Sequence, residues 1–283
     1  MAGRVDPLRI ALQVGLYLFF FVLFLGVVVL SGIADLMGRL FGSAFSTFFA
    51  AVMTNIVTLR IYEGCSLADI GFHWSAASAR NLAWGLLGGM AAALAVLTTP
   101  LLARADVLQH VAGTGPHLRI FLFVTVVLIM GAAGEEILFR GYGFQVLLRS
   151  MRPEVAIGLV GIMFGALHLS NPHASLLGLL NTVGFGILFG YAFWCSRDLW
   201  FPFGLHFGWN FTLPLFGADV SGIKLGVTGY EPHWSAGPLW SGGEYGPEAS
   251  VLTSAVLLVL FVFIWKAPIR PQRNVLLDEP VEK

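Results

Sequence analysis

Charged residues are scarce in this chain. They make up 11% of its 283 residues, against about 25% in a soluble globular domain, and 57% of the residues are hydrophobic. This composition excludes an ordinary soluble domain and is typical of a polytopic membrane protein. The formal net charge is zero, so the charge balance does not favour a nucleic-acid partner.

Cysteine and lysine are also scarce. The two cysteines, Cys65 and Cys195, lie far apart and follow neither a disulfide framework nor a metal-binding spacing, so we interpret them as small apolar residues. Only 3 lysines accompany 13 arginines, which hints at a bacterial source with a GC-rich genome.

Long apolar runs are the main feature of the sequence. Several approach the ~20 residues that a helix needs to cross a bilayer, and they predict an all-α bundle of about eight transmembrane helices. The third run is rich in Gly, Ala and Leu, which suits close helix packing. A count of six or seven also fits, because some runs are short or interrupted. The expected spans are about 10–33, between Arg39 and Arg60, between Arg80 and Arg104, from Ile120 onward, 155–170, 174–195, 199–216 and 250–265.

The first run begins like a signal peptide. Arg4 and Arg9 precede an apolar stretch from Ile10 to Ala34. That stretch is longer than the roughly 7–15 residues of a signal-peptide core, so we expect a retained first helix.

The basic residues predict the orientation. With the N-terminus inside, 11 of them fall in cytoplasmic segments and 4 fall outside, Arg140 being left out as intramembrane. We therefore expect both termini in the cytoplasm and, in a bacterium, insertion in the inner membrane. The inside set is Arg4, Arg9, Arg60, Arg80, Arg149, Arg152, Arg197, Lys266, Arg270, Arg273 and Lys283, and the outside set is Arg39, Arg104, Arg119 and Lys224.

Three segments are expected. Residues 1–117 hold the first three helices and an interfacial loop near 66–74. Residues 118–266 form a core of helices 4–8, with an extramembrane Gly/Pro/Trp-rich loop at 217–249. The aromatic residues of that loop predict either an ordered lid over the membrane or simple interfacial anchoring. Residues 267–283 form a polar tail that we expect to be loose.

Three charges interrupt the apolar run that begins at Ile120, namely Glu135, Glu136 and Arg140. One charged side chain at the centre of a bilayer helix costs roughly 2.5–3.5 kcal/mol on insertion scales, so these must be paired, hydrated or functional. Glu136 and Arg140 share a helix face at spacing i,i+4, which predicts an ion pair. Glu135 is turned about 100° away, which leaves its carboxylate available as a general base. A purely structural charge cluster is the alternative.

Two later runs carry polar residues on one helix face. His168 lies one turn after Phe164, and Asn210 lies one turn after His206. Glu135 and His168 are equally far from the turn between their runs, so two straight antiparallel helices would hold them at one depth. Idle polar groups are costly in lipid, so the set predicts a site inside the bundle. For each histidine, a hydrogen bond to a backbone carbonyl alone is the alternative.

The motifs Glu-Glu-x-x-x-Arg, Phe-x-x-x-His and His-x-x-x-Asn, in this order on separate helices, resemble those of the CAAX protease and bacteriocin-processing family. This family comprises the Ras-converting, prenyl-protein intramembrane endopeptidases and is also labelled Abi. The resemblance covers roughly residues 118–265, which makes the core the expected catalytic unit. It implies a catalytic site formed by Glu135, Glu136, Arg140, His168, His206 and Asn210.

What the resemblance implies is hydrolysis of a peptide bond within the membrane. In a glutamate mechanism, Glu135 assisted by His168 activates a water molecule, and His206 and Asn210 donate hydrogen bonds to the oxyanion. In a zinc metalloprotease mechanism, His168, His206 and Glu135 bind the metal, and the second glutamate is the base. We favour the first, which needs no cofactor, because the chain lacks a His-Glu-x-x-His motif and its histidines lie on separate helices.

Three functions of other classes compete. A proton-coupled transporter could use Glu135 and His168, but no inverted repeat is evident in the sequence. A membrane haem protein would need facing pairs of axial histidines, which the spacing does not supply. A bacteriocin-immunity or scaffolding protein would keep the fold without turnover, and the intact motif set argues against it. The expected partners are the lipid bilayer and a protein or peptide substrate, whose identity and prenylation the sequence does not specify.

Overall fold

A computed structural model describes residues 6–103, 106–111, 114–235 and 237–278. Most of these residues are helical. The α-helices are α1 (Pro7–Leu30), α2 (Ile33–Leu36), α3 (Arg39–Tyr62), α4 (Ala76–Leu102), α5 (Leu118–Arg140), α6 (Tyr142–Ser150), α7 (Pro153–Leu167), α8 (Leu176–Ser196), α9 (Trp200–Leu215), α10 (Pro238–Ser241), α11 (Val251–Lys266) and α12 (Val275–Asp278). The 3-10 helices are Leu67–Ile70, His168–Ser170, Gly243–Tyr245 and Pro247–Ala249, and the strands are β1 (Asp106–His110) and β2 (Tyr230–Trp234).

Within the described residues, six helical segments are long and apolar enough to cross a membrane. They are Pro7–Leu30, Arg39–Tyr62, Ala76–Leu102, Leu118–Ser150, Pro153–Ser170 and Leu176–Ser196. Helices α9 and α11 are apolar but have 16 residues each, short of the ~20 that a perpendicular span needs. The all-α polytopic fold is confirmed, and each of the eight predicted runs forms a helix. Arg4, Arg104 and Lys283, which enter the predicted orientation, lie outside the described residues.

Glycines let buried helices pack backbone against backbone. A Cβ atom on Gly89 of α4 would lie 2.1 Å from the carbonyl oxygen of Leu205 in α9. A Cβ atom on Gly134 of α5 would lie 2.8 Å from Cα of Phe48 in α3. Any larger side chain at these two positions would force the helices apart, so the glycines hold α4 against α9 and α5 against α3.

The run that starts near position 120 forms two helices rather than one. Gly141 separates α5 from α6 with an extended backbone (φ −72°, ψ −152°). Asn55 of α3 satisfies the backbone at this break, because its Nδ2 donates to the Ile137 carbonyl (3.1 Å) and its Oδ1 accepts from the Tyr142 N–H (2.7 Å). The expectation of a common depth for the polar residues of α5 and α7 assumed a straight helix, and that assumption is wrong.

The loop near 66–74 is ordered and packs against the residues that precede α9. Its 3-10 helix Leu67–Ile70 is capped by Asp69, whose Oδ2 accepts from the N–H (2.8 Å) and the hydroxyl (2.7 Å) of Ser66. The Gly71 carbonyl then accepts from the Leu199 N–H (3.0 Å), just before α9. This loop therefore fixes the start of the helix that carries the third motif.

The described residues of the region 217–249 are ordered as well. Its strand β2 pairs antiparallel with β1, and α10 and two 3-10 helices lead into α11. Tyr245 and Glu248 are buried in it. We call β1 and the described residues of 217–249 the cap, because they cover one end of the bundle.

The described part of the C-terminal tail packs against the opposite end. The Arg270 N–H donates to Asn81 Oδ1 (2.8 Å), and the Gln272 N–H donates to the Ser196 carbonyl (2.8 Å). Leu276 is only 2% exposed. The expectation of a loose tail is therefore wrong for residues 267–278.

Candidate active site

The end of α5 holds a buried ion pair. Glu136 and Arg140 are 1% and 0% exposed, and Arg140 Nη1 lies 3.3 Å from Glu136 Oε1. The spacing i,i+4 puts both on one helix face, as the sequence predicts. Arg140 Nη2 also donates to the Gly186 carbonyl of α8 at 2.8 Å. These contacts offset part of the cost of burying two charges between helices.

Aromatic rings enclose the Arg140 guanidinium. Its central carbon lies 5.2 Å from the ring centroid of Phe164 and 5.4 Å from that of Phe189. These are distances at which a cation is attracted to a ring face. The Phe189 ring also stacks on His206, with centroids 4.8 Å apart and planes at 15°. Phe164, the first residue of the second motif, therefore belongs to the wall of the charge cluster.

His206 joins the ion pair from α9. Its Nδ1 lies 2.8 Å from Glu136 Oε1. Because a carboxylate only accepts hydrogen bonds, Nδ1 carries the proton in this contact, and Nε2 is the other ring nitrogen. Nε2 lies 3.9 Å from Glu135 Oε2. Glu136 thus orients the His206 ring, and His206 stands between the two glutamates.

Glu135 presents its carboxylate on a different side of α5 from Glu136. Its side chain is 29% exposed, and the 3.9 Å between its Oε2 and His206 Nε2 is too long for a direct hydrogen bond. Oε2 itself is buried and has no hydrogen-bond partner in the part of the chain that the structure describes. A carboxylate oxygen and an imidazole nitrogen at this separation can share a bridging water.

His168 and Asn210 line the same cavity as Glu135 and His206. His168 follows α7, and its Nδ1 lies 2.7 Å from the Phe164 carbonyl. Nδ1 is therefore the donor, and Nε2 is left as an acceptor when the ring is neutral. Among the described residues, neither side chain hydrogen-bonds directly to Glu135.

The cavity itself has a volume of about 850 Å³ and extends among α1, α3, α5 and α9. Four of the six predicted site residues lie in its wall, and the ion pair of Glu136 and Arg140 lies behind it. A cavity of this size can admit a peptide segment and water to a buried carboxylate. The four residues in the wall are Glu135, His168, His206 and Asn210.

A zinc site would use His168, His206 and Glu135 as ligands. Over the described ranges, no group of three His, Cys, Asp or Glu side chains is arranged to hold a metal ion. The side chains as they stand do not fit a zinc site, and we derive no step through a metal.

Sequence reasoning missed Glu248, a buried residue of the cap that also lines the cavity. Its Oε1 accepts from Trp209 Nε1 (3.2 Å), and its Oε2 accepts from the N–H of Ser221 and from its hydroxyl (2.9 Å). Burial raises the pKa of the Glu248 carboxyl. Its one sequence signal is a charge among the Gly, Pro and aromatic residues of the loop. Glu248 ties the cap to the helix that carries His206 and Asn210.

Two carboxylates beside an imidazole, at a cavity inside a helical bundle, are groups that can serve as a general acid or base. Residues 117–212 match the family model described as type II CAAX prenyl endopeptidase Rce1-like, and this segment contains all six predicted site residues. The match confirms the resemblance to the CAAX protease family, which implies an intramembrane endopeptidase. Six helical segments among the described residues are long and apolar enough to cross a membrane, and with the family match they make the chain an integral membrane protein. No curated protein matches it.

Proposed function

We propose that this chain is an intramembrane endopeptidase that cuts a membrane-associated or lipidated protein or peptide with a glutamate-activated water. The observation that carries the proposal is the 3.9 Å gap between Glu135 Oε2 and His206 Nε2 at the wall of the cavity. The family match supports the reaction class. We also propose a bacterial inner membrane location with both termini in the cytoplasm, based on the arginine content and the distribution of basic residues.

Water activation is assigned to Glu135. A water between Glu135 Oε2 and His206 Nε2 would donate one hydrogen bond to each, and its oxygen lone pair would attack the scissile carbonyl carbon. Glu135 takes the proton of this water as the general base. The sequence favoured His168 as the helper of Glu135, whereas the gap of 3.9 Å supports His206.

Glu136 and Arg140 are assigned to positioning. Glu136 holds the proton on His206 Nδ1 and so leaves Nε2 as an acceptor for the water. With both glutamates ionised, Arg140 protonated and His206 neutral, these four side chains carry one net negative charge. Transfer of the water's proton to Glu135 moves this negative charge from the cluster to the oxyanion of the tetrahedral intermediate, where a hydrogen-bond donor can stabilise it.

We assign Asn210 to stabilising the oxyanion and His168 to orienting the scissile amide. Asn210 offers a neutral amide donor on the cavity wall, suited to the negative oxygen of the tetrahedral intermediate. His168 offers Nε2 as an acceptor, suited to orient the N–H of the scissile amide. Protonated Glu135 then gives its proton to the leaving nitrogen, and the C–N bond breaks.

A cleavage assay with purified protein in lipid vesicles tests the proposal. Lipid-anchored and unmodified peptides are offered together, and the products are identified by mass spectrometry. Glu135→Ala should lower the cleavage rate by a factor of about 10²–10⁴, because the general base is gone. The matched control is Glu154→Ala, since Glu154 is 72% exposed and pairs only with Arg152 among the described residues.

Membrane insertion and folding of Glu135→Ala are checked by its elution profile and thermal unfolding. Retained cleavage in this variant would reject Glu135 as the base. Proton-coupled solute uptake by the wild type, without cleavage of any peptide, would reject the reaction class.

A further inference from the structure

Three basic side chains come together where α4 begins and α11 ends. Arg80 lies in the second turn of α4, Lys266 is the last residue of α11, and Arg270 follows in the tail. Arg80 Nε donates to the Pro268 carbonyl oxygen at 2.7 Å. Because Pro268 is two residues from both Lys266 and Arg270, the Cα atoms of these residues lie about 7 Å or less from its own. We call Arg80, Lys266 and Arg270 the basic rim.

The backbone of the tail holds the rim in place. Asn81 Oδ1 accepts from the Arg270 N–H (2.8 Å), and Asn81 Nδ2 donates to the Arg270 carbonyl (2.9 Å). The Ser75 hydroxyl donates to Gln272 Oε1 (3.2 Å) two residues later. These bonds use the backbone of Arg270 and leave its guanidinium available. A cluster that is ordered in advance loses less conformational entropy when it binds a ligand.

The positive charge of the rim is not neutralised by the protein. All three side chains are exposed, and none forms an ion pair with a carboxylate that the structure describes. Asp198 shares Asn81 with the tail, but it is fully buried and accepts from Asn81 Nδ2 (2.8 Å). Like charges held close together repel each other, so the rim favours an anion.

The rim lies at the same end of two packed helices. Trp84 is one turn after Arg80, Phe263 is one turn before Lys266, and their ring centroids are 6.4 Å apart. A Cβ atom on Gly88 would lie 2.4 Å from Phe263 Cε1, so the ring packs directly on α4. Both basic side chains are therefore about one helical turn beyond the same contact between α4 and α11.

The helix faces that lead to the rim are apolar. On α11, Leu258, Val262 and Trp265 are exposed and share one face through their spacing of i, i+4 and i+7. Leu87 is exposed on α4. A small soluble anion would contact the rim alone, whereas a phospholipid would contact both the rim and these faces. The combination of charge and apolar surface thus fits an amphiphile with an anionic headgroup.

We propose that the basic rim binds the phosphate of an anionic phospholipid, whose acyl chains lie on the exposed faces of α4 and α11. Arg80 offers its two Nη groups, since its Nε is bonded to Pro268, and guanidinium groups match the geometry of phosphate oxygens. Lys266 adds a compact charge, and its Nζ lies 3.7 Å from the Trp265 ring centroid. Tryptophan commonly lies at the level of lipid headgroups. A bound lipid would join the tail to α4 and α11.

Native mass spectrometry of the purified full chain tests the proposal, with phosphatidylglycerol and phosphatidylcholine of the same acyl chains as probes. The wild type should bind phosphatidylglycerol about 10-fold more tightly or better. Lys266→Ala/Arg270→Ala keeps the backbone bonds of the tail and should weaken this binding about 25-fold, at a factor of about 5 for each cation. Arg80→Ala should weaken it about 5-fold. Equal affinity of the wild type for the two lipids would overturn the inference.

Arg9→Ala/Arg60→Ala is the matched control and should keep the wild-type affinity. It removes the same charge at the same end of the bundle, because Arg9 lies in the first turn of α1 and Arg60 in the last turn of α3, and both are exposed. A loss as large as that of Lys266→Ala/Arg270→Ala would overturn the inference, because general attraction to positive charge would then suffice.

Two further measurements test the other occupants of this surface. Glycerol 3-phosphate has the phosphate but no acyl chains, and it should compete poorly with phosphatidylglycerol. Binding as tight as that of the lipid would overturn the inference and assign the rim to a soluble phosphate. The same spectra report the oligomeric state. A dimer that dissociates in Lys266→Ala/Arg270→Ala, with unchanged lipid binding, would overturn the inference and assign the surface to a second copy of the chain.

Discussion

Replacing Arg140 by methionine tests the buried charge cluster. Methionine keeps much of the side-chain length and removes the guanidinium. The change deletes the ion pair with Glu136 (3.3 Å), the hydrogen bond to the Gly186 carbonyl (2.8 Å) and the contacts with the surrounding aromatic rings. His206 would then be the one described side chain still bonded to the Glu136 carboxylate.

The expected effect of Arg140→Met is a loss of several kcal/mol of folding stability. Removing one partner of a buried ion pair costs about 3–5 kcal/mol, because the remaining charge stays buried. An unsatisfied carbonyl costs about 1–3 kcal/mol, and the two penalties overlap in part. We expect the free energy of unfolding to fall by about 4 kcal/mol. Arg149→Met should cost less, because both side chains of its pair with Glu63 are partly exposed (16%) and Glu63 keeps its hydrogen bonds from Gln13 Nε2 (3.3 Å) and the Tyr142 hydroxyl (2.9 Å).

Unfolding in mixed micelles, titrated with a denaturing detergent, measures these differences. The double variant Glu136→Gln/Arg140→Met should recover part of the lost stability, since replacing a whole buried pair is often nearly neutral. It should remain inactive, because His206 loses its carboxylate partner. Equal losses for Arg140→Met and Arg149→Met would refute the reasoning, and so would a double variant no more stable than the single one.

Two further predictions concern the two ends of the bundle. Glu248→Gln leaves one acceptor oxygen for the donors of Trp209 and Ser221, so stability should fall by about 1–3 kcal/mol and hydrogen exchange in the cap should quicken. Unchanged hydrogen exchange would contradict the conclusion that Glu248 holds the cap against α9. Burial raises the pKa of Asp198, a fully buried residue before α9, to about 6, against ~3.9 for an ordinary Asp. Because the folded pKa is the higher one, its stabilising contribution of about 3 kcal/mol is complete below pH ~4 and lost as pH rises through about 6. The free energy of unfolding of the wild type should fall as the pH rises from ~4 to ~7, and that of Asp198→Asn should lack this fall. Equal pH dependence in the two proteins would reject the raised pKa of Asp198 as its cause.

The helices could be predicted because lipid leaves the backbone of a spanning segment no partner except itself. Helix α4, expected between Arg80 and Arg104, occupies Ala76–Leu102. The break at Gly141 could not be predicted, because it depends on Asn55, whose partner Tyr142 is 87 positions away in sequence. Polar composition likewise suggested a loose tail, but hydrogen bonds from distant helices hold its backbone.

In the candidate site too, contacts within one helix could be predicted from the sequence, whereas contacts between distant segments could not. The pair of Glu136 and Arg140 could be predicted because helical spacing alone brings them together. The hydrogen bond between Glu136 and His206 joins positions 70 apart and depends on how α5 packs against α9. Glu248 reaches Trp209 from 39 positions away, through a cap whose fold no local pattern indicates. Motifs could therefore name the residues, whereas their pairing required the tertiary structure.

The central claim is that Glu135 and His206 activate water without a metal ion. Its most direct test is the cleavage rate of purified wild-type protein of measured metal content, before and after treatment with a chelator. We predict an unchanged rate in protein that holds far less than one metal ion per chain. Loss of cleavage on chelation, with recovery when zinc is added back, would contradict the claim and assign His168, His206 and Glu135 as zinc ligands.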